Sequence, residues 1–134
     1  ADGVILASPV HYSGIAGNMK SFLDRLYYTC GANGNMMRHK VGSSLVAVRR
    51  SGGTATFDQL NHYLLISEMI VPASNYWNVI HGAAPGEITE DGEGMQILNV
   101  MCENMIWILR SLEYSREAVP PPQGRKKVMT NFVR

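Results

Sequence analysis

No charge of either sign dominates this sequence. Its 12 lysines and arginines stand against 11 aspartates and glutamates, a formal net charge of +1. That balance gives no electrostatic case for nucleic acid or for an anionic membrane surface. The short basic run Arg125-Lys126-Lys127 reads as a solvated tail. Cysteine is scarce: Cys30 and Cys102 lie far apart, without the C-x-x-C or Cys/His spacing that holds a metal, so no metal site is expected. No apolar run approaches the roughly 18 residues that cross a bilayer, and no signal peptide is evident. A cytoplasmic location is the expectation. The phosphate-loop patterns G-x-x-x-x-G-K-[ST] and G-x-G-x-x-G are missing, as is the G-x-S-x-G nucleophile elbow. Nothing assembles a catalytic triad or a calcium loop.

What is present is the composition of a globular protein, 46% apolar and 17% charged over 134 residues, which suits a single domain over 1–134. Val4-Ile5-Leu6-Ala7 reads as a strand buried on both faces, followed by the loop SPVHYSG. From Gly17 on, Met19, Phe22, Leu23 and Leu26 fall at helical spacing and predict one buried stripe. Ser43–Val48 is a second strand running into the turn RRSGGTAT, and Phe57, Leu60 and Leu64 mark the next helix. Met69-Ile70-Val71 reads as a third strand. Residues Asn75–Gly94 then form a long excursion, of a length that in compact domains is usually functional or disordered.

The last helix carries Met95, Leu98, Cys102, Met105, Ile106 and Leu109 on its apolar face and must end before Pro120-Pro121-Pro122. Cys102 is therefore expected as a buried free thiol, and Cys30 as a structural cysteine near a helix end. His39, His62 and His81 read as surface or satisfied histidines, and Glu87, Glu90, Asp91 and Glu93 as loop charge suited to the start of the last helix.

Strands alternating with helices predict a parallel sheet with helices on its faces. Ligands of such sheets bind beyond the carboxyl ends of the strands, so SPVHYSG and RRSGG should share one rim. A flat heteroaromatic ring needs an apolar or aromatic face, free amides along its polar edge and loops thin enough for close approach. Val10, His11 and Tyr12 can supply the face, while Arg49 or Arg50 and two glycines can serve the edge. That suits a flavin, whose N1–C2=O region gains negative charge on reduction. On pattern alone, two ordinary connecting turns remain the alternative.

ADGVILASPVHYSGIAGNMKSFLDR, VAVRRSGG, NYWNVIHG, EDGEG, MCENMIWIL and TNFVR together resemble the NAD(P)H-dependent FMN reductases and their iron–sulfur flavoprotein relatives. The resemblance covers nearly the whole chain. It implies an α/β, flavodoxin-like three-layer sandwich whose parallel sheet has the order 2-1-3-4-5, of which strands 3, 4 and 5 are expected here. It implies FMN as cofactor, with Ser8, Pro9, Val10, His11 and Tyr12 along the isoalloxazine and Arg50, Ser51, Gly52 and Gly53 beside its pyrimidine end. NAD(P)H is the implied co-substrate and a quinone, flavin or similar small molecule the acceptor, with no side chain named as catalytic.

A homodimer or homotetramer is implied as well, and contact of Tyr76 and Trp77 with a partner subunit or the flavin rim. Position 11 departs from the family, which usually has Tyr where this chain has His. The family's first strand, phosphate-binding turn and second strand lie upstream of ADG, as does the cysteine motif of the iron–sulfur relatives. Residues ahead of Ala1, or another chain, are therefore expected to supply the missing neighbour, and the ribityl phosphate to bind weakly to this chain alone. A flavodoxin-type electron carrier and a non-catalytic interaction subunit are the alternative readings. The near-neutral charge and the long excursion favour the enzyme.

Overall fold

Short apolar runs alternating with amphipathic stretches build a parallel sheet between two helical layers in the computed structural model, which describes residues 1–130 and 132. The end of TNFVR lies largely outside the described residues. In chain order the elements are β1 (Gly3–His11), β2 (Gly14–Ile15), α1 (Gly17–Ala32), β3 (Val41–Val48), α2 (Gly53–Ile66), β4 (Val79–His81), a 3-10 turn (Glu87–Glu90) and α3 (Gly92–Ser115). The sheet order is β2-β1-β3-β4. β1 and β3 run parallel from Gly3↔Val41 to Pro9↔Ala47, and β3 and β4 run parallel from Val46↔Val79 to Val48↔His81. β2 is antiparallel to the tip of β1. The expected three parallel strands are thus present, with a two-residue strand added. Among the described residues, no helix is long and apolar enough to cross a membrane.

The core has two halves because each strand presents alternate residues to opposite faces. Leu6 and Val46 meet Leu23 and Tyr27 of α1 and Leu60 and Leu64 of α2. On the other face Val41 packs with Met101 and Met105 of α3. Burial of the Tyr27 hydroxyl pushes its pKa up to about 12. The two helices of the first layer are also clasped at the surface. Lys20 bonds Asp24 at 2.8 Å, and the Tyr63 hydroxyl donates to Asp24 from α2.

β1 is covered unevenly. Met105 and Leu109 close over it at Gly3, where an added Cβ would lie 2.7 Å from Met105 Cε. Further along the same face Ile5 is 46% exposed. Its outer edge pairs with nothing from Gly3 to Pro9 among the described residues. The reading of Val4–Ala7 as buried on both faces therefore holds for one face only.

Four further expectations change. The strand expected at Met69–Val71 is reduced to one isolated parallel bridge, Val41↔Ile70, and the true third strand lies inside the excursion at Val79–His81. Between that bridge and the pair Val46↔Val79, β3 advances 5 residues (46 − 41) and the outer chain 9 (79 − 70), so 4 extra residues are thrown out of the sheet. On α1 the buried line is Leu23, Tyr27 and Cys30, while Phe22 is 58% exposed. On α3 it is Ile97, Met101 and Met105, which leaves Cys102 exposed. Cys30 is buried, as a structural thiol would be. Finally, SPVH is not a loop, because β1 continues through His11.

Candidate functional site at the carboxyl rim of the sheet

Beyond Pro9 the first motif folds back as a hairpin with Val10↔Ile15 and His11↔Gly14 paired, leaving Tyr12-Ser13 as a two-residue turn. Both turn residues are left-handed, at φ 48° and 60°. Such turns match strand twist but normally use Asn-Gly, since a side chain at positive φ is strained. The hairpin is held from beneath. Ser8 is buried, its Oγ donating to Pro9 O at 2.8 Å and accepting from Ala16 N at 3.0 Å. Ile15 N donates to Gln59 Oε1 of α2 at 3.2 Å.

The second motif leaves β3 at Arg49 and enters α2 at Gly53. Gly52 precedes the helix at φ 88°, and α2 has no side-chain cap there. Its first amides are therefore without intrahelical acceptors and point out of the rim. A Cβ on Gly52 would lie 2.9 Å from both Cα and Oγ of Ser13 and 3.0 Å from Val10 Cγ1. The two predicted motifs do share one rim, in direct contact. Only glycine satisfies both the backbone angle and the approach.

Each predicted residue can now be placed. His11, Tyr12, Arg50 and Ser51 are exposed, as is Pro9; Val10 is half-buried against the core. Ser8 has its hydroxyl engaged within the hairpin. Gly53 is buried, and a Cβ there would lie 2.6 Å from Val79 Cγ1, so it packs helix against strand.

On the far side of the second motif lies a cleft of about 300 Å³. Arg50 and Thr54 line one wall, Tyr76 and Trp77 stand at its outer lip, and His81 and Glu93 line the opposite wall. Asp91 organises that wall. It caps α3 by accepting from Gly94 N at 2.9 Å and also accepts from His81 N at 2.7 Å. Those two backbone bonds hold its carboxyl below the usual carboxylate range. Asp91 was expected to place charge before the last helix, and it does so as the cap. Sequence reasoning missed His81 and Glu93 as cleft residues. Their only signal was that both fall in or beside the excursion that carries Tyr76 and Trp77.

An iron-sulfur flavoprotein of Methanocaldococcus jannaschii is 34% identical over 103 residues, 72% of this chain and 52% of that protein. One from Methanosarcina thermophila is 28% identical over 119 residues, 87% of this chain and 61% of that protein. The chain thus spans between half and two thirds of the length of these relatives. In structure it matches a flavodoxin, WrbA-like protein from Agrobacterium tumefaciens with a TM-score of 0.55 at 16% identity, over 78% of this chain and 68% of that one. That likeness establishes a flavodoxin-like fold. The profile of the NADPH-dependent FMN reductase family matches residues 1–84, and the chain belongs to that family.

Proposed function

We propose that this chain forms the ring-binding part of an FMN-dependent oxidoreductase that takes reducing equivalents from NAD(P)H and delivers them to a small acceptor such as a quinone or a flavin. The observation that carries the proposal is the contact of Gly52 with Ser13 and Val10, which joins the two family motifs into one seat. The residues present fit a flavin ring. His11 and Tyr12 offer exposed flat surface, and the uncapped amides at the start of α2, with Arg50 and Ser51, offer donors to a carbonyl edge. Bound FMN would supply the hydride and electron chemistry. The chain's own work is to seat the ring, to hold its edge by hydrogen bonds and to favour negative charge there through the helix start and Arg50.

Ser8 and Gln59 serve this seat indirectly by fixing the hairpin. Association into a homodimer or homotetramer is part of the proposal, supported by the exposed apolar residues Ile5 and Ile106. The test is the absorbance spectrum of the flavin-loaded protein before and after anaerobic NADPH or NADH. Bleaching of the flavin band is expected. A band that persists with both donors would overturn the NAD(P)H-dependent reading.

A further inference from the structure

The chain reverses after α1 through Asn33-Gly34-Asn35, a stretch that the ring seat and the cleft leave without a role. Asn33 caps the end of the helix. Its backbone N–H donates to Thr29 O at 3.2 Å, and its Nδ2 donates to the same carbonyl at 2.8 Å. Gly34 follows at φ 81° and Asn35 at φ 54°, and Met36 N closes the turn on Cys30 O at 3.1 Å.

Asparagine followed by glycine carries a chemistry of its own. The backbone nitrogen of the second residue attacks the side-chain amide carbon of the first, provided that it is free to lose its proton and that no side chain crowds it. Gly34 meets both conditions. Asn33 and Gly34 are exposed, and a Cβ added at Gly34 would meet nothing within 4 Å. Among the described residues Gly34 N finds no acceptor. Asn35 is the contrast within the same turn. It is half-buried, a methionine follows it, and the nitrogen that would have to attack, Met36 N, is engaged by Cys30 O.

We propose that Asn33 is a self-modification site, converted to aspartate and isoaspartate through a cyclic imide and gated by the last turn of α1. Gly34 N bonds to Cγ of Asn33 and its proton goes to solvent. The Cγ–Nδ2 bond breaks, ammonia leaves, and water then opens the imide at either carbonyl. The bond from Nδ2 to Thr29 O holds the side chain in place, so the reaction waits on fraying of that turn.

The product works against the turn that made it. A carboxylate cannot donate to Thr29 O, it stands at the negative end of the helix, and α1 has no basic residue in its last turn to offset it. Cys30 is buried in that same turn. Conversion of Asn33 therefore loosens the cover over a thiol, and ageing of the chain becomes exposure of Cys30.

The test ages the full chain in heavy-oxygen water at mildly alkaline pH, folded and in urea, and follows the tryptic peptide from Leu26 to Arg38, which holds both asparagines. Heavy oxygen is expected at Asn33 and not at Asn35, and more slowly in the folded chain than in urea. Label at neither residue, or at both alike in the folded chain, would overturn the inference, and equal rates in the two states would remove the gate. The consequence is read on Cys102→Ser protein, in which Cys30 is the only thiol left. There Asn33→Asp should speed maleimide labelling of Cys30 by about tenfold, the scale of one lost hydrogen bond together with an unfavourable charge at a helix end. Labelling as slow as with Asn33 in place would overturn the link to Cys30.

Discussion

The two edges of the sheet are built on opposite plans. At β1 the outer edge is continuous and apolar, and from Gly3 to Pro9 its backbone groups face no partner among the described residues. At β4 the edge is broken: it touches β3 at Ile70, leaves, and returns at Val79. A long, flat, apolar edge is a template for another strand, whereas an interrupted edge refuses one. The difference separates a surface suited to continuing the sheet from one committed to presenting side chains. β1 is also held almost wholly through one face. The broken edge is held by side chains that replace missing ladder bonds, Asn78 foremost.

Four substitutions would sharpen or break that contrast. The largest effect is expected from Asn78→Asp, which sets a buried carboxylate against Ser44 O. It should cost about 3–5 kcal/mol of unfolding free energy at neutral pH, the scale of an uncompensated buried charge. Burial raises the pKa of such a carboxyl, and its protonated form can donate to Ser44 O. The deficit should therefore shrink as pH falls. Urea titrations at two pH values would reveal it, and a pH-independent loss would mean that the amide is not what holds the broken edge. Leu6→Ala should cost about 2–5 kcal/mol by emptying the core under β1. A far smaller loss in thermal or chemical unfolding would show that β1 does not hang on its inner face.

Asp91→Ala removes the α3 cap and the bond to His81 N, for about 1–2 kcal/mol. The pH dependence has a defined sign. The folded pKa of Asp91 is depressed, so its contribution is complete above the ordinary carboxylate value near 3.9 and is lost as pH falls through the lower folded value. The variant should lack that acid-side component in its urea midpoints. The smallest change in stability, within about 0.5 kcal/mol, is expected for Ile5→Lys, which places a charge on the uncovered face of β1. Its signature is reduced self-association in sedimentation, and unchanged association would remove β1 from any interface.

The parallel layout was legible because Val4–Ala7, Ser43–Val48 and the stripe Phe57/Leu60/Leu64 carry strong, local periodicity. That the two motifs share one rim was legible for a topological reason, since both follow parallel strands; their direct contact through Gly52 was not. Three things were not. Met69–Val71 has the apolar content of a strand, but pairing depends on register with β3, a non-local property. Cys102 and Ile106 sit one step around the helix from the line Ile97/Met101/Met105, and neither composition nor spacing says which of two adjacent apolar stripes the sheet will cover. SPVHYSG lacks the Asn-Gly expected of a tight hairpin, so its left-handed Tyr12-Ser13 turn gave no signal. The cleft escaped for a related reason: the second motif, the excursion and the start of α3 are brought together only by the fold.

The interrupted edge also has a meaning for how such a protein can change. The distance between Val41 and Val46 is set by β3, whatever the outer chain does between its two points of return. Residues can thus be inserted at the exposed positions 75–77 without shifting the alignment of any strand, at a closure cost that grows only slowly with length, provided Ser74 and Asn78 keep their anchoring bonds. The scaffold carries an interchangeable insert at its rim, and new ligand preferences can be acquired there without refolding the sheet.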